Sequence, residues 1–382
     1  MWERSLTGTA GGGYTGRLPG GLTGIGPRMG TPGAPAQVDE RSGARWRAGL
    51  TTRNALLVLA ILGIQIGFIA SYLGAFHNPK PHRVPLAVVA PAGTPQEQAR
   101  QAAGRLNAIA GEPLDAHLVP DEAAARDELA RRRIYGAFVP SPQGPDRLFV
   151  DSAASASVSQ ALTEVFAEVE RVEHHQLTVV DVIPAGTGDA RGLSAFYLTV
   201  GWMLGGYLVV TGLSISRSAR PAHPPAAVVR LAAVAVYAVA SGILGAVVTI
   251  SILGVFSGHL LALAALGALL VFATGAFAMA LQAWAGVVGV GLTVVLLVVL
   301  GNPSAGGAYA WPLLPPFWRA IGPWLPPGAG TTLVRGIVYF HGRGMAGPTL
   351  VLAGYAVAGT LATLAAAALA DRRRRNEPST IQ

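Results

Sequence analysis

The side chains able to carry acid–base, nucleophilic or metal chemistry are crowded into one part of this 382-residue chain. Fifteen of its twenty Asp and Glu residues lie between positions 77 and 193, and His174 and His175 stand in the same block. Adjacent side chains diverge on a helix, so these two histidines do not share a metal ion and read as solvated helix-end residues. A Ser/His/Asp triad is defined by geometry, and no spacing here selects one. Cysteine is absent, which excludes disulfides and thiolate metal sites. Gly11 and Gly16 have the spacing of a phosphate loop, but Arg17 and Leu18 stand where Lys and Ser or Thr are required. The chain therefore reads as having no catalytic residues, cofactor or metal, and binding or sensing is the economical role for its acidic block.

Elsewhere the acids are removed. Residues 41–96 and 190–370 contain no Asp or Glu, hydrophobic residues make up 51% of the chain and charged ones 13%. Mean hydropathy is +0.46. A water-soluble fold needs charged surface. A lipid-facing one discards it, because a carboxylate at a helix centre costs about 2.5–3.5 kcal/mol on insertion scales. The net charge of +8 is a topology signal: Arg41, Arg45, Arg47 and Arg53 precede the first apolar run, and Arg372 to Arg375 follow the last. No basic patch is interleaved with stacking aromatics, so nucleic acid is not an expected partner; the lipid bilayer is.

Six apolar runs approach or exceed the roughly 20 residues a helix needs to cross hydrocarbon: 55–75, 194–213, 231–256, 260–281, 283–300 and 348–370. The expected fold is an α-helical polytopic membrane protein of six transmembrane helices, with an extracytoplasmic α/β domain inserted between helices 1 and 2. Residues 1–40 form a disordered cytoplasmic tail, 41–76 an interfacial segment and the first helix, and 77–193 the outer domain. Residues 194–370 hold helices 2–6 with a Pro/Trp-rich hairpin at 301–346, and 371–382 are a basic tail. Arginines gather before the first span, between the second and third and after the last, with none in the link between the third and fourth and three in 301–346, a bias that places both termini in the cytoplasm and the chain in the plasma (inner) membrane. The first span, with 54 residues before it and no cleavage-like site after, reads as an uncleaved anchor.

Within 77–193 the pattern alternates. Short apolar strands are predicted at 86–89, 116–119, 135–139, 148–151 and 177–183. Thr94 to Glu97 reads as a capping box opening one helix, Asp121 caps a second that ends in Arg131 to Arg133, and a third covers 156–174. The triple arginine is expected to complement its helix dipole, with a ligand patch as the alternative.

The membrane runs offer only neutral hydrogen-bonding groups, which disfavours proton coupling and points to energy drawn from a partner or ligand. Gln65 is expected to face protein or a polar cavity, and Tyr237 belongs to the same candidate set. Gly201 and Gly205 have the small-xxx-small spacing that lets helices approach. Trp311, Trp318 and Trp324, among prolines 312, 315, 316, 323, 326 and 327, predict short interfacial or re-entrant helices, an anchoring belt or an outer gate.

The stretch from Asn302 through Trp311-Pro312-Leu313-Leu314-Pro315-Pro316-Phe317-Trp318-Arg319 to Leu325-Pro326-Pro327-Gly328 resembles the Pro-rich outer hairpin between the last two spans of ABC-2 type permeases. With the large insert after span one, residues 50–370 are similar to the YhgE/Pip-like branch. The resemblance implies a homodimer driven by a separate cytoplasmic ATP-binding subunit and exporting an amphipathic or lipid-like substrate. Its alternative is a non-pumping scaffold or receptor, of the secretion-accessory or phage-attachment type, acting through the outer domain.

Overall fold

The computed structural model describes residues 51–90, 96–141, 144–217 and 223–376. The tail 1–40, the interfacial segment before Thr51, the Thr94–Pro95 cap and residues 377–382 lie outside them. The chain divides into two compact units, 1–56 and 57–382. Of the first, only 51–56 are described, where Thr51 Oγ1 accepts the Asn54 amide at 3.3 Å. The second carries the elements that follow.

After α1 (Thr52–Phe76) the chain forms β1 (Val84–Val89), α2 (Gln96–Asn107), β2 (Leu114–Val119), α3 (Glu122–Ala130), β3 (Gly136–Val139), β4 (Asp146–Val150), α4 (Ser152–Glu173) and β5 (Leu177–Asp181). The strands make one sheet in the order β2-β1-β3-β4-β5. β1 runs parallel to both β2 and β3, β3 antiparallel to β4, and β4 parallel to β5. Alternation along each strand sends side chains to two faces. Leu86, Val88, Phe138 and Leu148 meet Leu106 of α2 and Val158, Leu162 and Phe166 of α4. Ala87, Val89, Ala137 and Phe149 meet Ala125 and Leu129 of α3 on the other face. The local signals act as expected: Asp121 Oδ1 accepts the Ala124 amide at 2.7 Å and so caps α3.

The remaining helices are α5 (Ser194–Arg217), α6 (Pro224–Val247), α7 (Leu260–Ala285), α8 (Val287–Val294), α9 (Pro316–Ile321), α10 (Pro326–Val338) and α11 (Ala346–Asn376). A π-helical run Val248–Ile252 lengthens α6, and Val295–Leu300 with Gly301–Ser304 lengthens α8. Among the described residues six helices are long and apolar enough to cross a membrane, which makes the chain a polytopic membrane protein by length and composition. His223 starts α6 by accepting the Ala226 amide on Nδ1, with prolines at the first helical positions. Gly286 alone joins α7 to α8, at φ 60° and ψ −130°. The expected three-residue link between spans three and four is longer, 253–259, with Gly254, Gly258 and His259 at positive φ.

α7 is the hub: 56% of its apolar window is buried within the chain, against 6% for α1. Glycines bring neighbours to backbone contact with it. A Cβ at Gly206 of α5 would lie 2.6 Å from Val271 O, and one at Gly242 of α6 would lie 2.6 Å from Ala268 N. Gly359 of α11 meets Ala276 and Phe277 in the same way. Two expectations change here. A Cβ at Gly201 would meet nothing within 4 Å, because this glycine faces away from α7; one at Gly205 would touch Tyr237, at 3.1 Å from its hydroxyl. Tyr237 is itself 39% exposed.

Gln65 is also exposed. α1 touches α8 along Ile64, Gly67 and Ser71, with the Ser71 hydroxyl donating to Val299 O. Gln65 is one residue off that stripe, about 100° around the helix, and so faces outward. A buried amide is Gln282, which accepts from Ser214 and donates to Thr211 at 3.5 Å.

Overpacking a close helix contact costs roughly 1–3 kcal/mol. Gly242→Val should therefore lower the melting midpoint in detergent by several degrees, while Gly201→Val leaves it within about a degree. Equal losses from both would contradict this packing.

Candidate functional site

The Pro/Trp-rich segment folds into the short turns and helices expected of it: Trp311–Leu313, α9, Gly322–Trp324 and α10. Its tryptophans do not form one belt. Trp318 is buried with Ala75 and Leu314, Trp311 donates to Ser304 O at 3.0 Å, and only Trp324 stands exposed, at 71%. Proline spacing turns the chain so sharply that two of the three indoles fall inward. Ala310 and Leu313 join the core of the sheet, packing with the α4 side of the α/β layer.

α10 is the element that builds a site here. Two prolines open it, and small residues let it lodge against α5, α7 and α11 with nearly every position buried. Its last turn carries Arg335, only 7% exposed. The guanidinium donates to three backbone carbonyls: Gly306 O at 2.9 Å, Gly307 O at 3.2 Å and Gly192 O at 3.2 Å. Gly306 has φ 69°, a conformation that glycine adopts without strain. Arg335 Nε has no hydrogen-bond partner among the described residues.

A second guanidinium reaches the same place from the α/β layer. Arg131 behaves as a helix-end cation and pairs with Asp127 at 2.7 Å. Arg132 does not: at φ 56° the chain leaves the helix, and its side chain crosses to α10 and the turn after it. It donates to Thr332 O at 2.8 Å, Arg343 O at 2.9 Å and Gly344 O at 3.2 Å, and lies 5.1 Å over the Phe340 ring. Among the described residues neither Arg132 nor Arg335 has a carboxylate within ion-pair distance. Burial pulls the Arg132 guanidinium below its usual range and pushes Tyr135 above its own.

The acids nearby are otherwise engaged. Asp189 accepts the Ser194 amide at the start of α5 on Oδ1 (2.8 Å) and the Tyr339 hydroxyl on Oδ2 (2.9 Å). Burial and that carboxylate push Tyr339 up, so its hydroxyl stays a donor. Asp151 caps α4 by accepting the Ala154 amide at 2.8 Å. Burial, helped by Asp181, pushes its carboxyl up to about 7 against the pull of Ala154 and the two arginines.

Between these groups lies a cavity of about 380 Å³, lined by Arg131, Arg132, Tyr135, Trp324, Thr332 and Arg335 among other residues. Arg335 was not singled out from the sequence, and Arg132 was placed in a ligand patch only as the lesser reading of the triple arginine. The available signal for Arg335 was an arginine in an acid-free run of small residues.

His175 is the other departure. It remains exposed, but its Nδ1 lies 3.2 Å from Asp146 Oδ2. Asp146, Glu170 and His175 bring one ligand atom each within 4.8 Å of one another, so these three residues could hold a metal ion that spacing along the chain did not suggest. His174, at φ 56°, turns the chain away from α4 and aims the next residue back at the sheet.

Comparison with family models, with curated proteins and with solved structures finds no match.

Asp151 gives a pH prediction. Its folded value lies above the ordinary 3.8, so its contribution to stability is full at low pH and is lost as pH rises through about 7. A displacement of that size corresponds to about 4 kcal/mol as an upper figure. Asp151→Asn keeps an acceptor for Ala154 and should flatten the stability of the protein between about pH 4 and 7, with the largest gain over wild type at pH 8. Parallel wild-type and variant melting curves across that window would contradict the assignment.

Proposed function

We propose that this chain is the membrane permease subunit of an ATP-driven exporter of an amphipathic or lipid-like substrate. It acts as a homodimer in the plasma (inner) membrane, with both termini in the cytoplasm, residues 77–193 outside, and a separate cytoplasmic ATPase as its motor. The observation that carries this reading is α10. Its 13 residues rise about 20 Å, short of the roughly 30 Å of hydrocarbon. The chain enters α10 after the span ending at Ser304 and leaves it into the span beginning at Ala346, so α10 dips into the bundle and returns on one side.

Two further features support it. The candidate spans carry no acid before Asp371 at the far end of the last, which leaves no carboxylate relay for a proton-driven cycle. The bare face of α1 carries Gln65, an amide that is costly against lipid and that a second copy would pair. The scaffold reading shares these features except the need for a motor.

Purification of the tagged chain from its native membrane in mild detergent, with identification of co-eluting polypeptides, separates the two. A nucleotide-binding subunit at a fixed ratio is expected. A secretion apparatus without any ATP-binding subunit would replace export by the scaffold role. The dimer has its own check: the chain lacks cysteine, so Gln65→Cys should give a disulfide-linked dimer on mild oxidation. A monomer under those conditions would remove α1 from the interface.

A further inference from the structure

The cavity beside α10 has features that none of the bonds around it explains. Arg335 is more than nine-tenths buried, lines the cavity, and keeps Nε without a hydrogen-bond partner among the described residues. Carbonyl oxygens satisfy the other contacts of Arg335 and those of Arg132, yet carbonyls are dipoles, and Asp151 and Asp189 act on these cations only from beyond ion-pair distance. A buried cation without a directly paired counter-charge is costly, and an anion placed between the two guanidiniums recovers that cost through charge-assisted hydrogen bonds. The volume, about 380 Å³, falls in the range of small-molecule sites.

The rest of the lining says what is attached to that anion. Gly347, Pro348 and Val351 lie in the first turns of α11, the last candidate span, and Trp324 stands exposed beside them. The cavity therefore has cationic groups facing the α/β layer and α10, and an apolar and aromatic wall where a helix enters the lipid level. A free inorganic ion would use only the first part.

We propose that this cavity takes the head of an anionic amphiphile, a phosphate or carboxylate on an alkyl chain. Arg132 and Arg335 hold the head, and Trp324, Pro348 and Val351 form the wall along which the chain lies. The assignment deepens the export reading, on which it rests for the role of the amphiphile as substrate, by fixing the charge of that substrate; the binding itself is independent of any motor.

The test is a titration of the full-length protein in non-ionic detergent with phosphatidylglycerol carrying brominated chains, read as quenching of tryptophan fluorescence. Brominated phosphatidylcholine and inorganic phosphate are the comparison arms. Half-saturation by the anionic lipid is expected at least tenfold below that of the zwitterionic one. Arg335→Gln should raise it at least tenfold, but Arg335 also ties two loops to α10 and that variant can misfold. Gly347→Glu avoids the difficulty. A Cβ at Gly347 has nothing within 4 Å, so a carboxylate enters the cavity without a clash, neutralises the arginines and displaces the lipid head. This variant should elute and melt as wild type does and lose the anionic preference.

Equal quenching by the two lipids, or a Gly347→Glu protein that binds as wild type, would overturn the proposal. So would stabilisation by inorganic phosphate without any lipid quenching, which would make the ligand a small anion. Anionic binding in a protein with no ATP-binding partner would sink export and leave the site standing. An ATP-binding partner without such binding would do the reverse.

Discussion

Hydrocarbon does not solvate charge, and that constraint orders this molecule. From residue 190 to residue 370 no carboxylate is present, and the helices built from that stretch must associate without ion pairs to acids of their own. In lipid the apolar faces gain little by leaving their solvent, so association depends on close contact and on hydrogen bonds made locally. Gly206, Gly242, Gly267 and Gly359 supply the contact, each placing a neighbour against the backbone of α7 or of the helix crossing it. Buried hydroxyls turn back on their own helices: Thr199, Thr274, Thr293 and Thr363 each donate to the carbonyl four residues earlier at 2.8 Å. Polar groups are thus satisfied without bridging to charge.

The constraint relaxes at one end of the bundle. There Arg335 and Arg132 are inside the protein, and six carbonyls, five from loops that glycine allows to turn and one, Thr332, from α10, hold them in place. These bonds join α10, the start of α5 and the α/β layer into one junction. Asp189 works at the same junction by capping α5 and fixing Tyr339. Asp151, whose carboxyl burial pushes up to about 7, is about half-ionised near neutral pH and compensates the two cations only in part.

Much of this was legible in the residues because it is set locally. Alternating apolar strands, the Asp121 cap and the apolar runs have one-dimensional signatures, and the observed strands and spans lie within a few residues of the expected ones, apart from the start of the third span. Helix rotation is not local. Gln65 and Gly201 miss their partners by a single residue of phase, because only the packing of α1 on α8 and of α5 on α7 decides which face turns inward. Arg132 was read as a helix-end cation because its carbonyl partners, Thr332, Arg343 and Gly344, come from the opposite end of the chain. The pairing of His175 with Asp146 depends on β4 and β5 lying side by side, which spacing does not encode.

We propose that lipid surrounds the acid-free helices and water the acidic block, with a membrane between that block and the C-terminal arginines. Single cysteines are clean probes in a chain that has none. Asp115, exposed on β2, and Arg374, exposed at the end of α11, are suitable positions. In intact cells a membrane-impermeant maleimide should label Asp115→Cys and spare Arg374→Cys until the membrane is permeabilised. Labelling of Arg374→Cys alone would invert the orientation, and equal labelling of both from the same side would break the six-span arrangement itself.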